Sequence, residues 1–272
     1  MTKTRPLATA LTLLATTAHA SVNIYGFEAL VEDDLNGQDN WTTTLYNTSN
    51  DVQVVDGASG DGSQALQFTQ SGAGVGVDGS RLNDGNYSLP NFGDADSATI
   101  DFSFHTPYWG GEFGIGFDFD DDNAIENNSD ELAFSLHSRG QNDTLIFIDR
   151  LGTETSTALS DANVSGNWVN YRLEIDFTAN SGTGSVSVSY QDPLAPESAY
   201  TSIANLQNIN LNLNTLATNA AAPANWEGMF FHFEGSTGGL DNVSAVPEPS
   251  SYALILGGLV CIPPMLKRRR KN

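Results

Sequence analysis

Cysteine is almost missing from this chain: 272 residues hold one, Cys261. A lone thiol excludes an internal disulfide framework and any cysteine-built metal cluster, so stability must come from core burial and bound ions. Basic residues are the second scarcity, 11 Lys and Arg against 33 Asp and Glu. Seven of the basic residues sit at the two ends, as Lys3, Arg5, Lys267, Arg268, Arg269, Arg270 and Lys271. Residues 21–246 keep four basic and 32 acidic residues, a net of −28. Phosphate backbones are gripped by Lys and Arg, so such a body excludes nucleic acid as a partner. It favours divalent cations, and polymers bridged by them. Histidine is thin as well: His19, His105, His137 and His232, with no metal-type pair spacing, and the last three are expected at strand ends. No Gly-x-Ser-x-Gly nucleophile elbow is present.

Both ends read as addresses. Lys3 and Arg5 precede an apolar run from Leu7 to Ala15, and Ala18-His19-Ala20 is a small-x-small cleavage site, so residues 1–20 are a signal peptide. At the other end stand Pro247-Glu248-Pro249, an apolar run from Tyr252 to Leu266, and the basic cluster Lys267 to Lys271. As a helix that run reaches only about 22 Å against a hydrocarbon core of about 30 Å, and Pro263 and Pro264 interrupt its end. The basic cluster holds to the cytoplasmic side. This order resembles the PEP-CTERM sorting signal of Gram-negative bacteria. The resemblance implies removal of residues 247–272 by an exosortase partner, a transient membrane anchor, and a destination at the cell surface or in the extracellular matrix.

Between the signals the pattern is period two. Ile100, Phe102 and Phe104 alternate with polar neighbours, as do Phe113, Ile115 and Phe117, then Leu132, Phe134 and Leu136, then Val169, Tyr171, Leu173, Ile175 and Phe177. Val186, Val188 and Tyr190 follow across Gly182-Thr183-Gly184, a hairpin signal. Strands are also expected over Val22 to Glu28, at Phe231 and Phe233, and near Leu240 to Val246. The unbroken run Leu145-Ile146-Phe147-Ile148 predicts a strand covered on both faces. Residues 203–222 fit strand or helix periodicity about equally. Asparagine at 208, 210, 212 and 214 favours a strand followed by a loop. One-sided burial repeated this often predicts an all-β antiparallel sandwich, a single domain over residues 21–246.

Gly26-Phe27-Glu28, Leu35 to Trp41, Gly62-Ser63-Gln64-Ala65-Leu66, Trp168 and Gly239-Leu240-Asp241-Asn242-Val243 resemble the strands of concanavalin A-like, or laminin G-like, jelly rolls. The resemblance implies two curved sheets face to face, with Trp41 and Trp168 filling the core at strand starts. It also implies a structural calcium held by Glu28 and Asp241 where the first and last strands meet. Two carboxylates on so acidic a body repel, and a hard cation offsets that repulsion. A second oxygen cluster, Asp118, Asp120, Asp121, Asp122 and Asn123, follows a strand and can cage calcium, or serve as a solvated loop.

Jelly rolls of this kind include family 16 glycoside hydrolases, which carry Glu-x-Asp-x-x-Glu on one strand. Here Glu174-Ile175-Asp176 ends in Ala179, so one of the two carboxylates that retaining chemistry needs is missing, and both acids read as a strand's solvent face. For sugar contact the candidate platforms are Trp109 with Tyr108, beside Gly110 and Gly111, and Trp226 after a Pro-containing loop. The function expected is a non-catalytic binding or structural module associated with exopolysaccharide. The alternatives are a divergent polysaccharide-degrading enzyme and a protein-binding adhesin or matrix scaffold.

Overall fold

The computed structural model describes residues 23–25, 27–39, 41–45, 51–57, 62–69, 77–82, 95–105, 112–118, 132–139, 144–149, 151–159, 166–195, 198–213, 228–234 and 238–249. In chain order the strands are β1 Asn23–Tyr25, β2 Trp41–Leu45, β3 Asp51–Val55, β4 Ala65–Thr69, β5 Val77–Leu82, β6 Ala95–His105, β7 Glu112–Asp118 and β8 Leu132–Arg139. They continue as β9 Thr144–Ile148, β10 Glu154–Ala158, β11 Trp168–Asp176, β12 Ser185–Tyr190, β13 Thr201–Ser202, β14 Ile209–Asn210, β15 Gly228–Glu234 and β16 Gly238–Pro249.

Two antiparallel sheets form. One has nine strands, ordered β13-β12-β11-β6-β16-β4-β3, with β1 beside β16 and β14 beside β12. The other has seven, ordered β10-β9-β8-β7-β15-β5-β2. The chain passes repeatedly from one sheet to the other, so that strands distant in sequence become neighbours at the centre of each. The result is an all-β jelly-roll sandwich. Its alternation is direct to read on β6, which buries Ala98, Ile100, Phe102 and Phe104, and on β11, which buries Val169, Tyr171, Leu173 and Ile175. Each of the larger aliphatic and phenylalanine side chains among them contributes about 1.5–3 kcal/mol by leaving water. The sheets meet through aromatic rings: Phe68 of β4 lies edge-on to Phe231 of β15 at 4.7 Å, and within the seven-stranded sheet Trp41 of β2 packs on the same Phe231 at 5.5 Å.

Polar groups fasten the margins. Buried Asp149 accepts the amides of Leu151 and Thr153 at 2.9 and 2.8 Å through Oδ1, closing the β9–β10 turn. Its Oδ2 accepts Asn212 Nδ2 at 2.6 Å, which ties that hairpin to the segment after β14. As predicted, Leu145, Ile146 and Phe147 are all buried.

Several expectations need correction. The first strand stops at Tyr25, and the chain turns through Phe27–Leu30, where Phe27 takes a left-handed φ of 54°. His137 and His232 lie inside β8 and β15 rather than at strand ends. Residues 203–213 contribute a 3-10 turn at Ala204–Leu206 and a two-residue strand, because Leu206, Leu211 and Leu213 each find the core without a regular repeat. The last strand runs through Pro249, three residues past the expected domain end. Among the described residues it pairs over 245–249 with β6 alone, and prolines are tolerated on such an edge because no second neighbour there needs their missing N–H.

Trp168 is the clearest correction. It stands opposite His105 in a register where Val169 faces Phe104 in the core, so its ring lies on the outward face. There it covers Gly239: a Cβ at that glycine would come within 2.8 Å of Trp168 Cη2 and 2.8 Å of the Leu66 carbonyl. Gly239→Val should therefore cost about 1–3 kcal/mol through overpacking, a fall in Tm of roughly 2–10 °C by scanning calorimetry. An unchanged Tm would show that Trp168 is not seated on this glycine.

Candidate functional site

The first candidate lies where the chain's first and last strands meet. β1 pairs with β16 through Asn23 and Ser244, then Tyr25 and Val243. Between Leu240 and Val243, both buried in the core, Asn242 takes a left-handed φ of 53° and the strand bulges. The bulge leaves Asp241 on the opposite face, yet with 0% exposure. A fully buried carboxylate needs partners. Its Oδ2 accepts Asn242 Nδ2 at 2.9 Å and Ser63 Oγ at 3.4 Å. The next residue, Gln64, donates its amide to Glu28 Oε1 at 2.8 Å, and its side-chain amide reaches the carbonyls of Phe27 and Glu28 at 3.0 and 3.2 Å. Glu28 and Asp241 are thus bonded to consecutive residues of one loop, Gln64 and Ser63. Every side-chain donor atom in this knot that suits a cation is an oxygen, the set a hard ion takes. Among the described residues no group of three His, Cys, Asp or Glu side chains is placed to hold a metal.

The second candidate is the outward face of the nine-stranded sheet, and sequence reading did not find it. Register sets its polar side chains in rows across the strands. Ser103 lies between Asp241 and Asn170, Asp101 between Ser244 and Arg172, and His105 between Gly239 and Trp168. The first row is a directed chain: Ser103 Oγ donates to Asn170 Oδ1 at 2.6 Å, Asn170 Nδ2 to Gln191 Oε1 at 2.8 Å, and Gln191 Nε2 to the Ser198 carbonyl at 2.9 Å. In the second row Arg172 grips Asp101 with two parallel bonds of 2.7 and 2.8 Å, and its guanidinium sits 4.2 Å from the centre of the Tyr200 ring. The Asp101 hydrogen bond raises the Arg172 pKa further, while burial, with the Asp101 charge, pushes the Tyr200 phenol up. In the third row His105 and Trp168 pack at 5.7 Å. Two half-buried aromatics thus flank a strip of fixed donors and acceptors, the composition of a site for a polyhydroxylated ligand.

Other predicted residues fare differently. Glu174 and Asp176 are exposed on β11, as read. Asp176 Oδ1 accepts Thr178 N, Thr178 Oγ1 and Ala179 N at 2.8, 2.7 and 3.0 Å, which lowers its pKa and makes it the staple of the β11–β12 turn rather than an acid catalyst. Asp118 is the last residue of β7, beside a register shift against β8. Asp120, Asp121, Asp122, Asn123, Tyr108, Trp109, Trp226 and Arg268 to Arg270 lie outside the described residues. Pro247, Glu248 and Pro249 close β16.

No protein-family model matches this chain, and a comparison with curated proteins finds no match. Solved structures of similar shape include the carbohydrate recognition domain of Emp46p in its potassium-bound form, at 8% identity and a TM-score of 0.48, spanning 83% of this chain and 97% of that one. Basic winged bean lectin with Tn-antigen matches at 10% identity and 0.47, over 80% and 96%. An endo-beta-1,4-glucuronan lyase from the fungus Trichoderma reesei matches at 13% and 0.42, over 80% and 94%. No residue role passes from them to this chain.

Burial lowers the His105 pKa, and a hydrogen bond with the Gly166 backbone only partly offsets it. The unfolded chain, with an imidazole near pKa ~6.5, then binds the proton more readily than the folded one. Stability tied to His105 is complete above that value and is lost as pH falls below it towards the folded pKa. Melting curves at pH 7.5 and 5.5 should show a smaller acid-induced fall in Tm for His105→Gln than for wild type. An equal fall would mean that the ring is solvated.

Proposed function

We propose that the sandwich is an exported, non-catalytic carbohydrate-binding module that acts in exopolysaccharide or extracellular matrix at the surface of a Gram-negative cell. The outward face of the nine-stranded sheet carries this reading. Asn170, Gln191, Ser103 and the Arg172–Asp101 pair present oriented hydrogen-bonding groups, and Trp168 and Tyr200 offer ring surface on either side. Rigid polar groups between aromatic faces suit sugar rings, which expose hydroxyls at the edge and C–H groups on the face. Calcium at Glu28, Asp241 and adjacent carbonyls fixes the junction of first and last strands, a structural rather than a chemical task. The role of Asp176 in its turn supports the absence of the family 16 type of chemistry on β11.

A glycan array probed with the exported protein, with and without calcium, tests the reading. Retention on an acidic or neutral polysaccharide without release of reducing sugar is expected. Tyr200→Ala should weaken it about tenfold, or 1.4 kcal/mol, and chelation should lower Tm in wild type but not in Asp241→Ala. Release of product by wild type, or retention indifferent to Tyr200, would overturn it.

The ends of the chain complete the proposal: a signal peptide directs export, and an exosortase-type enzyme removes the tail after a transient stay in the inner membrane. Intact-mass analysis of the surface protein should find neither residues 1–20 nor the Arg268-Arg269-Arg270 triplet. A mature form that keeps the triplet would refute processing.

A further inference from the structure

The outward face of the nine-stranded sheet also limits the charge of what it can hold. Residues 21–246 contain no lysine and four arginines, and of these Arg172 alone stands in a strand of that sheet. Its Nε and Nη2 both donate to the Asp101 carboxylate, at 2.7 and 2.8 Å. A guanidinium and a carboxylate joined edge to edge cancel in charge. What remains for a ligand is the other N–H groups of Arg172, donors without a net positive field. The next two outward positions on β11 are Glu174 and Asp176, both exposed. A carboxylate or sulfate arriving here therefore meets like charge on one side and a closed ion pair on the other, on a body of net −28.

Uncharged hydroxyls meet a different surface. Ser103 Oγ donates to Asn170 Oδ1, so its lone pairs are left to accept. The bonds that run on from Asn170 through Gln191 to the Ser198 carbonyl polarise one another and hold the amides in place. Outward side chains repeat every second residue, so Trp168, Asn170 and Arg172 stand in a line along β11 that is about 13 Å long. Trp168 begins that line, and the Tyr200 ring sits at its far end, 4.2 Å from the Arg172 guanidinium. The line is longer than one sugar ring, and a half-buried aromatic stands at each end of it.

We propose, resting on the reading of this face as a carbohydrate site, that it takes an uncharged glycan chain laid along β11 from Trp168 to Arg172. Polyanionic glycans are refused in the absence of divalent cations. Arg172, with its charge held by Asp101, acts there as a donor to hydroxyls and not as an anion receptor.

Calorimetry of the exported protein in chelator tests this, with neutral hexasaccharides of glucose, galactose and mannose set against hexagalacturonate and hexamannuronate. The best neutral chain should bind roughly tenfold or more tightly than either uronate and than its own monosaccharide. Its Kd should stay within about twofold between low and high salt, because screening acts on charge. Asp101→Asn leaves the Arg172 charge unbalanced and should raise uronate affinity roughly tenfold or more. The wild-type ranking needs no variant to fold. A uronate that binds as tightly as the best neutral chain, a monosaccharide equal to its hexasaccharide, neutral binding that weakens steeply with salt, or a folded Asp101→Asn chain with no gain for uronates would each overturn the proposal and leave the carbohydrate reading standing. Failure of every sugar to bind would overturn that reading, and the proposal with it.

Discussion

The fold depends on the placement of β16 inside the nine-stranded sheet. That strand pairs with β6 along most of its length, receives β4 on its other edge at Gly238–Leu240, and receives β1 after the bulge at Asn242. Remove it and the sheet separates into β13-β12-β11-β6 on one side and β4-β3 on the other. The local chemistry follows from this demand. Gly239 yields room to Trp168 and the Leu66 carbonyl, Leu240 and Val243 supply core, and Asn242 adopts the left-handed turn that few other residues accept. Asp241 is stranded between them, buried and charged. The proposed calcium site is a consequence of closing the sheet here as much as a device for it.

On the nine-stranded sheet the polar groups are already joined to one another, through the Ser103, Asn170 and Gln191 chain and the Asp101–Arg172 pair. Satisfied networks are rigid, which suits recognition of a neutral ligand by shape and hydrogen bonds.

What could be read from the sequence was whatever local periodicity determines. β6 and β11 show five or more alternating positions, so strand type and inward set follow at once. β3 and β10 do not: each is only five residues long, and Glu154–Ala158 is polar as well. Trp168 was expected in the core at a strand start, but parity with Val169 turns it outward. The meeting of the first and last strands was legible because a resemblance linked the two ends. The Arg172–Asp101 pair, 71 residues apart, and the Asp149–Asn212 bond, 63 apart, had no such guide. Nothing along the chain announces which strands become neighbours, and the functional rows exist only across strands.

The position of β16 also bears on kinetics. Pairings between residues 23–25 and 243–244, and between residues 95–105 and 239–249, close loops that span most of the domain. Long-range strand pairing of this kind is slow, because chain entropy must be surrendered before the contacts reward it. During synthesis the central gap in the nine-stranded sheet stays open until the chain up to residue 249 is free to enter it. On the proposed route, a tail held in the membrane would also set when the last strand is released, and so would couple the timing of delivery to the completion of the fold.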